Sequence, residues 1–215
     1  VVNDIQALGE VTREHGVLLH VDAAQSAGKI AIDLSKMKVD LMSLTAHKIY
    51  GPKGIGCLYI NRDKIDLKIS SQIEGGGHEY GFRSGTLNVP AIVGFGMAAE
   101  IAQKRLNDDN KKAKKLSELL ISGLKDKLDG FQINGHLEKR LSGNINISFS
   151  GVNGDALLIN MGEVAVSNGA ACSSDKKEPS YVLKALGLSE ELAGSSLRFG
   201  IGRYTTEKEI NHAVN

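Results

Sequence analysis

Two periods divide the polar and apolar positions of this chain. Ile5, Leu8 and Val11 recur at helical spacing behind Asn3 and Asp4, which suit a helix cap, and His15-Gly16 suits a helix end. Val17-Leu18-Leu19-His20-Val21 follows, too continuously apolar for a strand with one wet face, and predicts a parallel strand covered on both faces and ending at Asp22. Val39 to Leu44 predicts a second such strand, which runs into the polar turn Thr45-Ala46-His47-Lys48 and the break Gly51-Pro52-Lys53-Gly54. Gly54 to Ile60 predicts a third strand, with Cys57 as a small core residue and Asn61-Arg62-Asp63 as its turn.

The stretch from Gly75-Gly76-Gly77 through Thr86 is too polar and too rich in glycine for a core element; it predicts a functional loop or a linker. Pro90 fits the first turn of a helix that continues to about Leu128. The small apolar run from Ala91 to Ala102 predicts close packing on another element. Farther along, Leu116, Leu120 and Leu124 form one stripe, and Lys111, Lys112, Lys114 and Lys115 form a solvated face. Beyond it the pattern shifts to shorter units. Asn144 to Phe149 alternates with period two, Asp155 to Met161 is helical, and Pro179 to Leu186 predicts a short helix closed by Gly187. Ser195 to Phe199 predicts a strand carrying Arg198, and Thr206 with Glu209 is a capping-box signature for a last helix, truncated by the chain end. The change of pattern predicts a smaller α+β domain starting near residue 105.

Composition narrows the function classes. With 41% hydrophobic residues the 215-residue chain can bury a core, and 26 basic against 25 acidic side chains give a formal charge of +1. No basic footprint for nucleic acid or an anionic membrane follows from that balance, and no run reaches the roughly 18 apolar residues of a membrane span. Neither partner is expected. The two cysteines, Cys57 and Cys172, lie in unlike contexts, which suits a reducing compartment, and no metal-ligand spacing is present.

The chemistry gathers at strand ends. Ligands of open α/β sheets bind beyond the carboxyl ends of strands, so Asp22, Gln25 and Ser26 after one strand and Thr45, His47 and Lys48 after the next are expected to face one crevice. A lysine there loses hydration, and its amine becomes able to attack a carbonyl. A second polar segment, Ser167 to Pro179, consists of small and polar residues around Cys172.

The motifs His20-Val21-Asp22-Ala23-Ala24-Gln25-Ser26 and Ala46-His47-Lys48-Ile49-Tyr50-Gly51-Pro52-Lys53-Gly54 resemble the cofactor-lysine region of fold-type I pyridoxal-phosphate enzymes of the aminotransferase class V group. With Gly75-Gly76-Gly77-His78-Glu79, Arg83-Ser84-Gly85-Thr86, Ser167-Asn168-Gly169-Ala170-Ala171-Cys172 and Ser195-Ser196-Leu197-Arg198-Phe199, nearly the whole chain is similar to cysteine desulfurases of the IscS/NifS type.

That resemblance implies an α/β, aminotransferase-like fold. Residues 1–104 would be the C-terminal portion of a large, mostly parallel pyridoxal-phosphate domain, and 105–215 a small α+β domain carrying the Cys172 loop. The family's upstream cofactor-binding part has no counterpart here, so the chain is expected to be a fragment lacking it.

The resemblance also implies the roles. Lys48 matches the lysine that holds pyridoxal 5'-phosphate and moves protons, and Asp22 the carboxylate facing the pyridine nitrogen. Gln25 matches a donor to the ring's phenolic oxygen. Thr45 and His47 match groups near the cofactor phosphate, and Thr86 one that reaches the cofactor phosphate of a neighbouring subunit. Arg198 matches the partner of the substrate carboxylate, and Cys172 the nucleophile that takes sulfur from L-cysteine as a persulfide. His78, in a glycine-rich loop, is expected to order that segment rather than to touch substrate. A cytoplasmic homodimer that hands sulfur to an iron–sulfur scaffold or another acceptor protein is implied. Selenocysteine lyase, and a non-catalytic sulfur-transfer scaffold, stay open as other readings.

Overall fold

The computed structural model describes residues 1–62, 69–168 and 179–215, and these form two compact units. One comprises Asp4–Leu106; the other comprises Asn107–Asn215 together with Val1–Asn3. The three N-terminal residues join the second through the bond from Val2 N to Lys139 O, 2.8 Å.

In the unit of residues 4–106, helix α1 (Ile5–Glu14) is capped by Asp4, whose Oδ1 accepts from Ala7 N at 3.0 Å, and Gly16 turns the chain out of it at φ 66°. Three strands follow: β1 (His20–Asp22), β2 (Leu41–Thr45) and β3 (Gly56–Ile60), in the order β1-β2-β3. β1 pairs parallel with β2, and β2 pairs antiparallel with β3. This corrects the expectation of a mostly parallel sheet in this chain. A parallel return needs a crossover of about a dozen residues or more; only the turn through Lys48 and Gly51 to Ile55 separates β2 from β3, so β3 folds straight back.

The expectation of a first strand buried on both faces also fails. Val17 and Leu18 are 57% and 49% exposed, and β1 begins only at His20. One face of the sheet sends Met42 into a core with Ala23 and Val39, against which Ile5, Leu19, Val21, Leu34 and Leu44 pack. The other face carries His20, Asp22, Ser43 and Thr45 beside the apolar Leu41, Leu58 and Ile60. Cys57, expected in the core, is exposed instead, because β3 is an edge strand whose first three residues are uncovered. The atoms around it still push its thiol pKa up by desolvation, which favours the protonated, less reactive form.

Helix α2 (Val89–Lys127) supplies residues to both units. Its leucine stripe, Leu116, Leu120 and Leu124, is buried against an antiparallel sheet of β4 (Phe131–Ile133), β5 (Asn144–Phe149) and β6 (Ser196–Gly200). Ile145, Ile147, Leu197 and Phe199 face that stripe, and Ile210 from helix α6 (Glu207–Val214) completes the core. Short helices α3 (Gly154–Asn160), α4 (Tyr181–Ala185) and α5 (Glu190–Gly194) connect the strands. Among the described residues no helix is long and apolar enough to cross a membrane.

Candidate active site

The register of β1 on β2 positions the candidate residues of the unit of residues 4–106. His20 lies opposite Leu41 and Asp22 opposite Ser43, so both strands deliver their carboxyl ends to one edge. Because side chains alternate, His20 and Asp22 share a face with Ser43 and Thr45, while Val21, Met42 and Leu44 turn to the core. The 2.8 Å bond between His20 Nε2 and Ser43 Oγ lies on that face. Asp22 is exposed; its Oδ1 accepts from Ala24 N at 2.9 Å, and Oδ2 has no partner among the described residues. Gln25 follows in the next turn, exposed, with Oε1 accepting from Lys29 Nζ at 3.5 Å.

Lys48 sits in a 3₁₀ turn (His47–Ile49) that begins where β2 ends. It is half-buried and forms no salt bridge among the described residues. Beside it, Thr45 Oγ1 and His47 Nδ1 are joined at 2.8 Å. Ala46 O accepts from both Ile49 N and Gly51 N, and Tyr50 closes the turn in the left-handed region at φ 67°.

The turn is gripped from below by small residues. Ile49 is buried against Ala98 and Ala102 of α2. A Cβ on Gly94 of α2 would stand 2.7 Å from Pro52, and one on Gly28, already at φ 68°, 2.8 Å from Ile49. Lys48 is therefore mounted on a close helix–turn contact that only glycine and alanine permit. Reading the sequence for chemistry missed Gly28, Gly94, Ala98 and Ala102 as positioning residues; the small-residue run after Pro90 was the signal for the last three.

Thr86 is exposed, and no bond joins it to the Lys48 group among the described residues. His78 orders the loop before it: His78 Nδ1 accepts from Gly85 N at 3.3 Å, so the ring proton resides on Nε2. Ser84, buried, accepts from Gly77 N at 3.3 Å and donates its own N–H to Ile73 O. Glu79 and Tyr80 both take left-handed φ angles, 53° and 58°, and Arg62 lies 4.3 Å from the Tyr80 ring centroid. Two successive non-glycine residues in that region mark a strained loop.

Arg198 belongs to the unit of residues 107–215. It lies on β6 opposite Asn146 of β5, and on its other side exchanges both backbone bonds with Ser167: Arg198 N to Ser167 O at 2.6 Å and Ser167 N to Arg198 O at 3.3 Å. Its guanidinium is exposed and makes no ion pair or hydrogen bond among the described residues. Cys172, five residues beyond Ser167, lies outside the described residues.

The model of the aminotransferase class-V family matches residues 1–212. A cysteine desulfurase IscS of Ruthia magnifica subsp. Calyptogena magnifica is 53% identical over 215 residues, all of this chain and 53% of the relative. One from Vibrio cholerae serotype O1 is 55% identical over 214 residues, covering 52% of that protein. Among solved structures, a NifS-like protein from Rickettsia africae superposes with a TM-score of 0.87 at 30% identity, over 98% of this chain and 55% of that one. The chain thus spans about half the length of the curated relatives it matches. With a family match over almost its whole length, the chain belongs to the class-V aminotransferases, whose cofactor is pyridoxal 5'-phosphate.

Proposed function

We propose that this chain carries the cofactor lysine and the sulfur-accepting cysteine of a cysteine desulfurase, which converts L-cysteine to L-alanine and leaves the sulfur on Cys172 as a persulfide. The observation that carries the reading is the alignment of β1 with β2, which brings Asp22 to the edge and face where the Thr45–Lys48 turn begins. The donor set fits pyridoxal phosphate: among the described residues, an amine without an ion partner, a carboxylate with one oxygen uncommitted, and a hydroxyl–imidazole pair. When bound, that cofactor supplies the electron sink for reactions at the α-carbon of an amino acid.

The chain's own groups do the rest. Lys48 Nζ would hold the cofactor and move protons. Asp22 would keep the pyridine nitrogen protonated by its negative charge. Gln25, whose Oε1 is taken up with Lys29, has its amide N–H groups left for the phenolic oxygen. Thr45 and His47 would bind the phosphate, and Thr86 that of a neighbouring subunit. Arg198 would take the substrate carboxylate in a two-pronged grip. The Cys172 thiolate would bond to the substrate sulfur as the carbon–sulfur bond breaks and the carbon takes a proton.

In this reading residues 1–104 belong to the large domain and 105–215 form the small one. A homodimer in the cytoplasm hands its sulfur to an iron–sulfur scaffold or another acceptor protein. Support for sulfur chemistry comes from the names of the relatives, and support for a dimer from apolar Val93 and Met97, exposed on α2.

The test uses the protein expressed from its complete reading frame. After incubation with pyridoxal phosphate and borohydride reduction, peptide mass mapping is expected to find the label on Lys48. Lys48→Ala is expected to lower alanine production from L-cysteine by about 10³-fold or more, as loss of a covalent catalyst does. Cys172→Ala is expected to keep the label and stop sulfur transfer. Full desulfuration by either variant overturns the assignment.

A further inference from the structure

A buried chain of hydrogen bonds crosses the polar face of the β4–β5–β6 sheet and ends beside Arg198, and its direction can be worked out link by link. At the closed end Ser196 Oγ lies 2.7 Å from Leu192 O, the carbonyl of a residue in α5. A carbonyl only accepts, so the Ser196 hydroxyl donates there. Ser148 Oγ is 2.7 Å from Ser196 Oγ, and since the Ser196 proton is already placed, Ser148 donates to Ser196. Ser148 can then only accept from Asn134, which must turn its Nδ2 toward Ser148 at 2.7 Å.

The same Nδ2 lies 2.6 Å from the side chain of Asn146, so its second proton meets Asn146 Oδ1. Gln132 Nε2 donates to the remaining Asn134 Oδ1 at 3.2 Å. Every amide orientation is thereby fixed from one carbonyl. Ser148 and Ser196 are fully buried, so a flipped amide would leave an unmatched pair of donors or acceptors without water to relieve it.

One group is left over. Asn146 spends its oxygen on the network, and its Nδ2, with two N–H donors, has no partner among the described residues. Asn146 is half-buried and lies directly opposite Arg198 in the β5–β6 register, on the same face. Cross-strand partners in such a pair stand with Cβ atoms about 4.5–5.5 Å apart, within the span of one carboxylate. Two uncommitted donor groups, one charged and one neutral, thus stand side by side at the open end of a rigid polar strip, and among the described residues no acidic side chain answers either.

We infer that Asn146 is a second hydrogen-bond donor, beside Arg198, to the carboxylate of the amino-acid substrate, held in register by the Asn134–Ser148–Ser196 chain. This rests on the proposed role of Arg198. An amide donor beside a guanidinium discriminates for a planar anion held edge-on, whereas a guanidinium alone tolerates many anions.

Asn146→Asp separates this role from a structural one. Aspartate keeps the oxygen that accepts from Asn134, so a purely structural residue tolerates the change, but it withdraws the donor and sets a negative charge beside the substrate's. In cofactor-loaded protein from the complete reading frame, dissociation constants for L-alanine and for L-alaninamide are read from the cofactor's absorbance, and thermal midpoints are recorded alongside. The expected result is a weakening for L-alanine of about tenfold or more, the loss of one charge-assisted hydrogen bond. L-Alaninamide binding and the thermal midpoint are expected to stay close to the parent's. Asn146→Ser, which withdraws the amide without adding charge, replaces Asn146→Asp should the added charge unfold the protein. Arg198→Ala is the control for the underlying reading. If it weakens L-alanine and the Asn146 variants do not, the inference about Asn146 falls alone; if Arg198→Ala leaves L-alanine binding unchanged, both fall.

Discussion

A single buried carboxylate shows how much of the site's positioning depends on residues with no part in its chemistry. Asp40 lies just before β2 with its side chain 2% exposed, accepting from Arg13 Nη2 at 2.9 Å and from Leu19 N at 2.8 Å. It thereby ties α1 to the residue that leads into β1, and β1 ends on Asp22. The pair is lopsided, since the Arg13 side chain is 36% exposed. Removing Arg13 leaves a desolvated charge behind, whereas neutralising Asp40 leaves an arginine that can swing into water. Arg13→Ala is therefore expected to lower unfolding free energy by about 3 kcal/mol, and Asp40→Asn, which keeps an acceptor for Leu19 N, by about 1 kcal/mol. Urea denaturation of both variants checks the order; equal losses would mean that the charge left on Asp40 carries no extra desolvation cost.

Elements are where the sequence was most and least legible. Local capping signals survived translation into structure almost unchanged: Thr206 caps α6, with Oγ1 accepting from Glu209 N at 3.3 Å while Glu209 Oε2 accepts from Thr206 N at 2.7 Å. Asp4 and Gly16 bound α1 as read, and the stripe of Leu116, Leu120 and Leu124 is core. The direction of β3 was not legible, because apolar patterning is blind to which neighbour a strand chooses and only the length of the connection decides. β4 was missed outright; three residues are too short to show a period. At the candidate site, Asp22 and Lys48 could be picked out by residue type at strand ends. Asn146 could not, since its meaning comes from partners 12 and 52 positions away in Asn134 and Arg198.

The α6 cap makes a pH prediction. Bonds from the Thr206 hydroxyl and then its backbone N–H hold Glu209 below its ordinary value of 4.5, and the Lys115 ammonium does the same for Glu207. For carboxylates lowered in the folded state, the stabilisation is fully present above about pH 4.5 and is lost as the pH falls through the lowered values. Thr206→Ala is expected to cost about 1 kcal/mol at neutral pH. The difference from the parent should shrink on acidification below pH 4, as measured by denaturation midpoints.

At the scale of the whole molecule, the chain has no single core. Ala23, Val39 and Met42 anchor one cluster in residues 4–106, and Leu116, Leu120, Ile145, Ile147 and Leu197 anchor another in residues 107–215. Each sheet is closed on the strands of its own unit, so each unit has its own cooperative hydrogen-bond network. Leu120 is 1% exposed, and truncating a leucine so enclosed removes transfer energy and leaves a cavity. Leu120→Ala is therefore expected to cost about 3 kcal/mol, and to speed amide exchange in β4, β5 and β6 while β1, β2 and β3 keep their protection. Met42→Ala should give the reverse pattern. The candidate groups divide along the same line, with Asp22, Thr45, His47, Lys48 and Thr86 in one unit and Arg198 in the other. The exchange pattern therefore bears on function. If Leu120→Ala leaves exchange at Asp22 and around Lys48 untouched, a loss of L-alanine affinity in that variant can be assigned to the Arg198 side. Equal acceleration in both sheets would show that the units unfold as one, and the loss of affinity could then be assigned to neither group of residues.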